Sequence, residues 1–338
     1  MCRGGHSNNP PQQQALPVGR NLFDMPNDIR QLKLTKDQKE IILRRLKAAK
    51  VGSRHELLHL FEPALLKEFE NEISFFPILA FPVTFEGEFE RVVINKDVRE
   101  DKQNNRLTDY SQIKYPPLNI QSKLGYNRAS LKGQSVFYAG AGNLPAIMET
   151  RPGLGDLYTV SKWRQKKGKA LNHFPIFYHP EIYERPEFEK DWEQHKEFLN
   201  SLDPDVSEVV IEFLSFMTEV FIKEVDRGNK VGYIFSALFS NYYLTKVSPQ
   251  VHCMYYPSVA SEYVASNIAC LPETLDEFFD CVDVKECVCT HHNGAKQWLS
   301  QRVAEVKHVN ANAIGSLQWE LHVSEEEYQN LKLMYKFN

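Results

Sequence analysis

The sequence predicts an α+β fold, and three observations lead there. Helical periodicity opens the chain after a polar arm. Runs rich in β-branched and aromatic residues then alternate with helical segments between residues 80 and 290. No internal repeat imposes a solenoid. The 338 residues, 42% apolar and 25% charged, suffice for one large domain with an appended region or for two domains.

The elements follow in order. Residues 1–20, MCRGGHSNNPPQQQALPVGR, lack the apolar core of a secretory signal and read as a disordered arm. Nothing around Cys2 supports an N-terminal cysteine nucleophile. Residues 21–78 form a helical region. In it, TKDQKEIILRRLKAAK (35–50) is amphipathic, with Thr35 or Asp37 to cap it and VGS to end it. A second helix starts at Ser53 and runs through HELLHLFEPALLKEFENEI. PILAFPVTF and FERVVINKD then read as strands joined by an EGE turn. Residues 96–123, polar and containing YPP, are an irregular connection.

SVFYAG is a strand, NLPAIMET opens a helix, and LYTVSKW and ALNHFPIF are strands around a basic turn, RQKKGK. From Asp205 to Asp226, residues Val209, Val210, Phe213, Leu214, Met217, Val220 and Phe221 keep helical spacing, and RGN stops that helix. YIFSALFSNYYL is a helix; VHCMYYPS and KECVCTHH are strands. The main domain spans 79–290. Residues 291–338 are a C-terminal strand and helix extension, its helix opened by the capping box of Ser324 and Glu327.

A net charge of −4 and a pI near 6.3 provide no global field for nucleic acid or anionic lipid. No run approaches the ~18 apolar residues of a membrane span. Six cysteines at irregular spacing argue for reduced thiols and a cytoplasmic protein.

Three motifs invite chemistry. HELLH, residues 55–59, has the zinc-peptidase pattern, which makes a zinc hydrolase using His55, Glu56 and His59 the rival function. Yet Ser53 and Glu56 have capping-box spacing, Arg54 precedes the first histidine and Pro63 limits the helix, so a structural helix start is favoured. In Cys287-x-Cys289-x-His291-His292, positions 287, 289 and 291 would share one strand face, but a one-residue gap between cysteines suits a metal poorly. AGAGNLP has two glycines between strand and helix, but Pro145 stands where a dinucleotide loop needs a small residue. It reads as a tight turn capped by Asn143, with Pro145 in the first helical turn.

One constellation remains: Arg128, Tyr138, Glu149, Ser258 and Asn267. Taken singly, each has a plain structural account. Together, in YNRASLKGQSVFYAGAGNLPAIMET, GYIFSALFSNYYL and VHCMYYPSVASEYVASNIACL, with FERVVINKD and YPP before them, the chain resembles the RES-domain family over residues 80–275. Ala129 departs from the aromatic residue usual after the arginine, and a long insertion separates Glu149 from Ser258.

The resemblance implies a fold similar to the mono-ADP-ribosyltransferases and an enzyme that consumes NAD as substrate, without a further cofactor or metal. It implies a toxin or defence effector held by an antitoxin or sensor partner, with ADP-ribose passed to water, phosphate or a protein. A degenerate binding module of the same fold is the non-enzymatic alternative, and oligomeric state stays open. The residue types suit NAD cleavage. Glu149 would stabilise an oxocarbenium-like ribose. Arg128 would clamp the pyrophosphate, with Arg91 a second candidate. Tyr138 would stack on nicotinamide. Ser258 would bond the ribose or orient the attacking group, and Asn267 would join the NAD contacts.

Overall fold

The computed structural model describes residues 35–52, 63–76, 80–117, 120, 123–225, 230–247, 250–293 and 297–337. The arm expected at 1–20 and the HELLH stretch lie outside the described residues. Helices α1 (Lys36–Gly52) and α2 (Pro63–Ile73) precede strands β1 (Phe81–Val83) and β2 (Glu88–Ile94). A short helix α3 (Asn95–Val98) opens the irregular connection. Then come β3 (Phe137–Ala141), α4 (Asn143–Thr150), β4 (Leu157–Gln165) and β5 (Leu171–Pro175). Helices α5 (Glu189–Ser201), α6 (Pro204–Ile222) and α7 (Ile234–Lys246) follow. Strands β6 (Cys253–Pro257) and β7 (Ser266–Cys270), helix α8 (Pro272–Phe278), strands β8 (Phe279–His292), β9 (Trp298–Val306) and β10 (Trp319–Leu321), and helix α9 (Glu325–Tyr335) complete the order.

The architecture is mixed α+β. One ten-stranded sheet, ordered β1-β5-β6-β7-β3-β2-β4-β8-β9-β10, is flanked by helices. Every described pairing is antiparallel except β5 with β6. The expected hairpin of PILAFPVTF with FERVVINKD does not form. β1 pairs with β5 at the sheet edge, whereas β2 lies between β3 and β4. Pro82 explains the edge: it has no N–H to give a second neighbour. The sheet continues past residue 290 through β9 and β10.

One apolar core lies on the face that carries α6 and α7. Asp203 caps α6 by accepting from Asp205 N–H at 3.0 Å, and Pro204 starts it. Val209, Phe213, Leu214, Met217, Val220 and Phe221 are buried, as their spacing predicts. The helix ends at Ile222, four residues before the expected stop. Leu43 and Leu46 of α1, Phe69 and Ile73 of α2, and Phe76 belong to the same core. Phe76 stacks on Phe213 at 4.0 Å. Burying a side chain of this size stabilises by roughly 2–3 kcal/mol. The amino-terminal helices thus share a core with the sheet's helical cover. At the other end, Ser324 caps α9 by accepting from Glu327 N–H at 3.1 Å, and Tyr328 and Leu331 pack on Leu157, Val288 and Val303.

Cys253, Cys270, Cys281 and Cys289 are buried free thiols, and Cys287 is half-buried. Along β8, register shifts beside Cys287 and between Cys289 and His291 break the alternation that would set 287, 289 and 291 on one face, and both histidines are exposed. Among the described residues no cluster of histidine, cysteine and carboxylate side chains could hold a metal ion, and no helix is long and apolar enough to cross a membrane.

Candidate active site

The site begins where two strands part. β2 meets β3 through only two pairs, Phe89 with Ala141 and Glu90 with Gly140. β2 then follows β4 while β3 follows β7. A cavity of about 460 Å³ opens at this divergence, a size that suits a small-molecule ligand. Register aligns four residues across it: Glu90 beside Gly140, Gly140 beside Asn267, and Asn267 beside Tyr256. Side chains level with one another in a sheet share a face, so one row sets the cavity floor.

Gly140 lets the covering helix approach. A Cβ there would lie 2.9 Å from Pro145 Cγ, so α4 packs directly on the strand. The turn into α4 is capped by Gly142, not by Asn143. Gly142 takes φ +86° and ψ 173°, a conformation open to glycine alone, so the chain reverses one residue earlier than the motif suggested. Arg151, at φ +53°, ends the helix.

Glu149 therefore sits in the last turn of α4, solvent-facing at the cavity rim. A carboxylate at a helix C-terminus meets the negative end of the helix dipole. Two donors offset this: Ser258 Oγ at 2.7 Å and Asn267 Nδ2 at 3.0 Å, both onto Glu149 Oε1. Ser258 is fully buried and Asn267 nearly so. The Ser258 hydroxyl also accepts from Ser261 N–H at 3.3 Å.

Arg91 reaches over the gap between the strands. Its Nη1 donates to Tyr138 O at 3.0 Å, and the guanidinium lies 5.6 Å from the Phe137 ring. Its buried Nε has no hydrogen-bond partner among the described residues. Burial pulls Arg91 down to about 10, which leaves it a cation at neutral pH. Arg128 is differently engaged. Its Nη1 donates to Phe221 O and, at 3.2 Å, to Lys223 O, capping the end of α6, and it lies 5.0 Å from the Tyr233 ring. Tyr138 shows its ring to the cavity while its hydroxyl accepts from Ala129 N–H at 3.0 Å, and burial pushes its phenol up.

Arg91, Arg128, Tyr138, Glu149 and Asn267 all line the cavity, and Ser258 joins them through Glu149. Sequence reasoning missed Glu90, Tyr233 and Tyr256. Tyr256 had a signal: it stands two residues before Ser258, near the end of β6. Glu90 is buried beside Lys162 at 3.2 Å; burial pushes its carboxyl up and Lys162 partly opposes the shift.

Fold and site together define a mixed α+β protein whose central sheet opens a carboxylate-bearing cleft. No family model matches the chain, and no curated protein matches it.

Proposed function

We propose that the chain is an NAD-consuming enzyme with a RES-like, mono-ADP-ribosyltransferase-like catalytic domain. The observation that carries this reading is the Glu149 carboxylate, held by Ser258 and Asn267 at the rim of a cavity shared with Arg91 and Tyr138. The bond between nicotinamide and ribose breaks with its electron pair leaving on the nicotinamide nitrogen. Positive charge develops on the ribose, and a fixed carboxylate beside it lowers the barrier. Water, phosphate or a protein side chain then attacks the ribose and yields its proton to solvent.

The other residues take roles from their surroundings. Ser258, buried and donating to Glu149, orients the carboxylate rather than touching the ribose. Asn267 is the second orienting donor and reaches the cavity. Arg91 leads as the pyrophosphate anchor, because its guanidinium bonds one strand carbonyl, whereas Arg128 bonds two carbonyls at the end of α6. The Tyr138 ring, its hydroxyl fixed, offers a flat face to nicotinamide. NAD is substrate and no further cofactor enters. NAD depletion suits a toxin or defence effector held by an antitoxin or sensor partner.

The test is incubation of the pure chain with NAD, with and without phosphate, and identification of products. Free nicotinamide with ADP-ribose, its 1-phosphate or a modified protein supports the reading and names the acceptor. Intact NAD under every condition overturns it.

A further inference from the structure

Building on the NAD-cleaving reading, we propose that Arg185 is a positioning residue for Glu149, acting by clamping the strained turn that begins at Ser258. Residues 258–265 make that turn between β6 and β7. Glu262 and Tyr263 within it both lie in the left-handed region, at φ +54° and +64°. Neither is glycine, so both are held in a disfavoured conformation, which persists only where the surroundings enforce it.

The turn is tied to Ser258 on every side. Tyr263 N–H donates to Ser258 O at 2.9 Å, and Ser258 N–H donates to Ala265 O at 2.7 Å. Ser261 Oγ donates to Ser258 O at 3.1 Å. Arg185 comes from outside the turn, in the insertion that separates Glu149 from Ser258. Its Nη1 donates to Tyr263 O, its Nη2 to Glu262 O at 3.4 Å and its Nε to Glu181 O at 3.0 Å. One planar guanidinium thus holds both carbonyls of the strained pair and ties them to its own segment. The chain of contact is short: Arg185 to Tyr263, Tyr263 to Ser258, Ser258 to Glu149. Arg185 does not line the cavity, so its effect falls on the orientation of Glu149 and not on NAD binding.

The experiment uses the full chain with Arg185→Ala, Arg185→Lys, Ser258→Ala and the Arg185→Ala/Ser258→Ala double variant. Hydrogen exchange reads the turn, and steady-state NAD cleavage reads the site. Arg185→Ala is expected to lose protection at the Tyr263 amide and to lower kcat about tenfold, the worth of one hydrogen bond to a charged group. KM should stay within about twofold, since ground-state binding is untouched. Arg185→Lys should recover part of the rate, because an ammonium on a flexible stem reaches one carbonyl and not two. It carries the comparison if the alanine variant does not fold. In the Ser258→Ala background the Arg185 substitution should cost nothing further.

An equal kcat loss in both backgrounds overturns the proposal, as does unchanged protection across 258–265. An intact chain that leaves NAD untouched overturns the NAD reading and the catalytic half of this assignment with it. The exchange measurement then decides the clamp separately.

Discussion

Ser258 Oγ donates to Glu149 Oε1 at 2.7 Å, joining residues 109 positions apart in the chain. Asn267 reaches the same oxygen at 3.0 Å. A carboxylate held this way pays little reorganisation when positive charge develops beside it. Glu149→Gln keeps the shape and an acceptor oxygen but removes the charge. It should lower kcat for NAD by roughly 10²–10³, equivalent to ~3–4 kcal/mol, with KM nearly unchanged. Steady-state kinetics with a melting curve checks this. Near-normal turnover by the folded variant would make Glu149 a solvated helix residue and nothing more.

The two cavity arginines should separate cleanly. Arg91→Ala removes a half-buried cation from the cavity wall. Losing a hydrogen-bonded charge of this kind costs about 1.5–3 kcal/mol, so KM for NAD should rise roughly 10- to 150-fold. Arg128→Ala instead strips the donors from the end of α6. It should destabilise the fold by about 2–3 kcal/mol, visible in urea titration, with a smaller effect on KM. The reverse assignment, a large KM effect at Arg128 and none at Arg91, would return the anchor to Arg128.

The sequence revealed more of the helices than of the strand partners. Val209, Phe213, Met217 and Val220 repeat at helical spacing, and that local pattern located α6. The pairing of β1 with β5 is not local, and alternation near Phe81 says nothing about which strand lies alongside. The site divides in the same way. Tyr138 and Glu149 stood out because they flank one strand and one turn. Glu90 and Tyr256 did not, because they join the site only through register across neighbouring strands. The task of Arg128 was also hidden: its carbonyl partners lie 93 and 95 residues further along the chain.

The HELLH stretch offers a contrast between the two enzyme readings. If its histidines serve a structural helix start, His55→Ala and His59→Ala should cleave NAD at near wild-type rate, and pure protein should carry no stoichiometric zinc. Metal analysis alongside the kinetics checks both. Zinc at one equivalent, lost together with activity in a folded variant, would favour the zinc hydrolase.

Acid should weaken the fold through His195. This side chain is fully buried among Phe81, Phe177 and Tyr178, with ring centroids 4.7, 4.9 and 5.3 Å away. Its Nδ1 bonds Asp191 O at 3.0 Å, and its Nε2 has no partner among the described residues. Burial pulls its pKa from the ordinary 6.5 down to about 4; the Asp191 carbonyl and carboxylate oppose this, and nearby His173 adds to it. Between those values the unfolded chain binds a proton that the native state refuses. Stability therefore rises with pH across the window and is lost as pH falls from 6.5 towards 4. A shift of this size corresponds to about 3 kcal/mol. His195→Leu removes the group, so its urea-derived stability should fall about 3 kcal/mol less than wild type between pH 7 and pH 4. Carboxylates elsewhere contribute equally to both proteins and cancel in the comparison. Parallel stability profiles for the two proteins across that range would show that His195 is protonated inside the native fold.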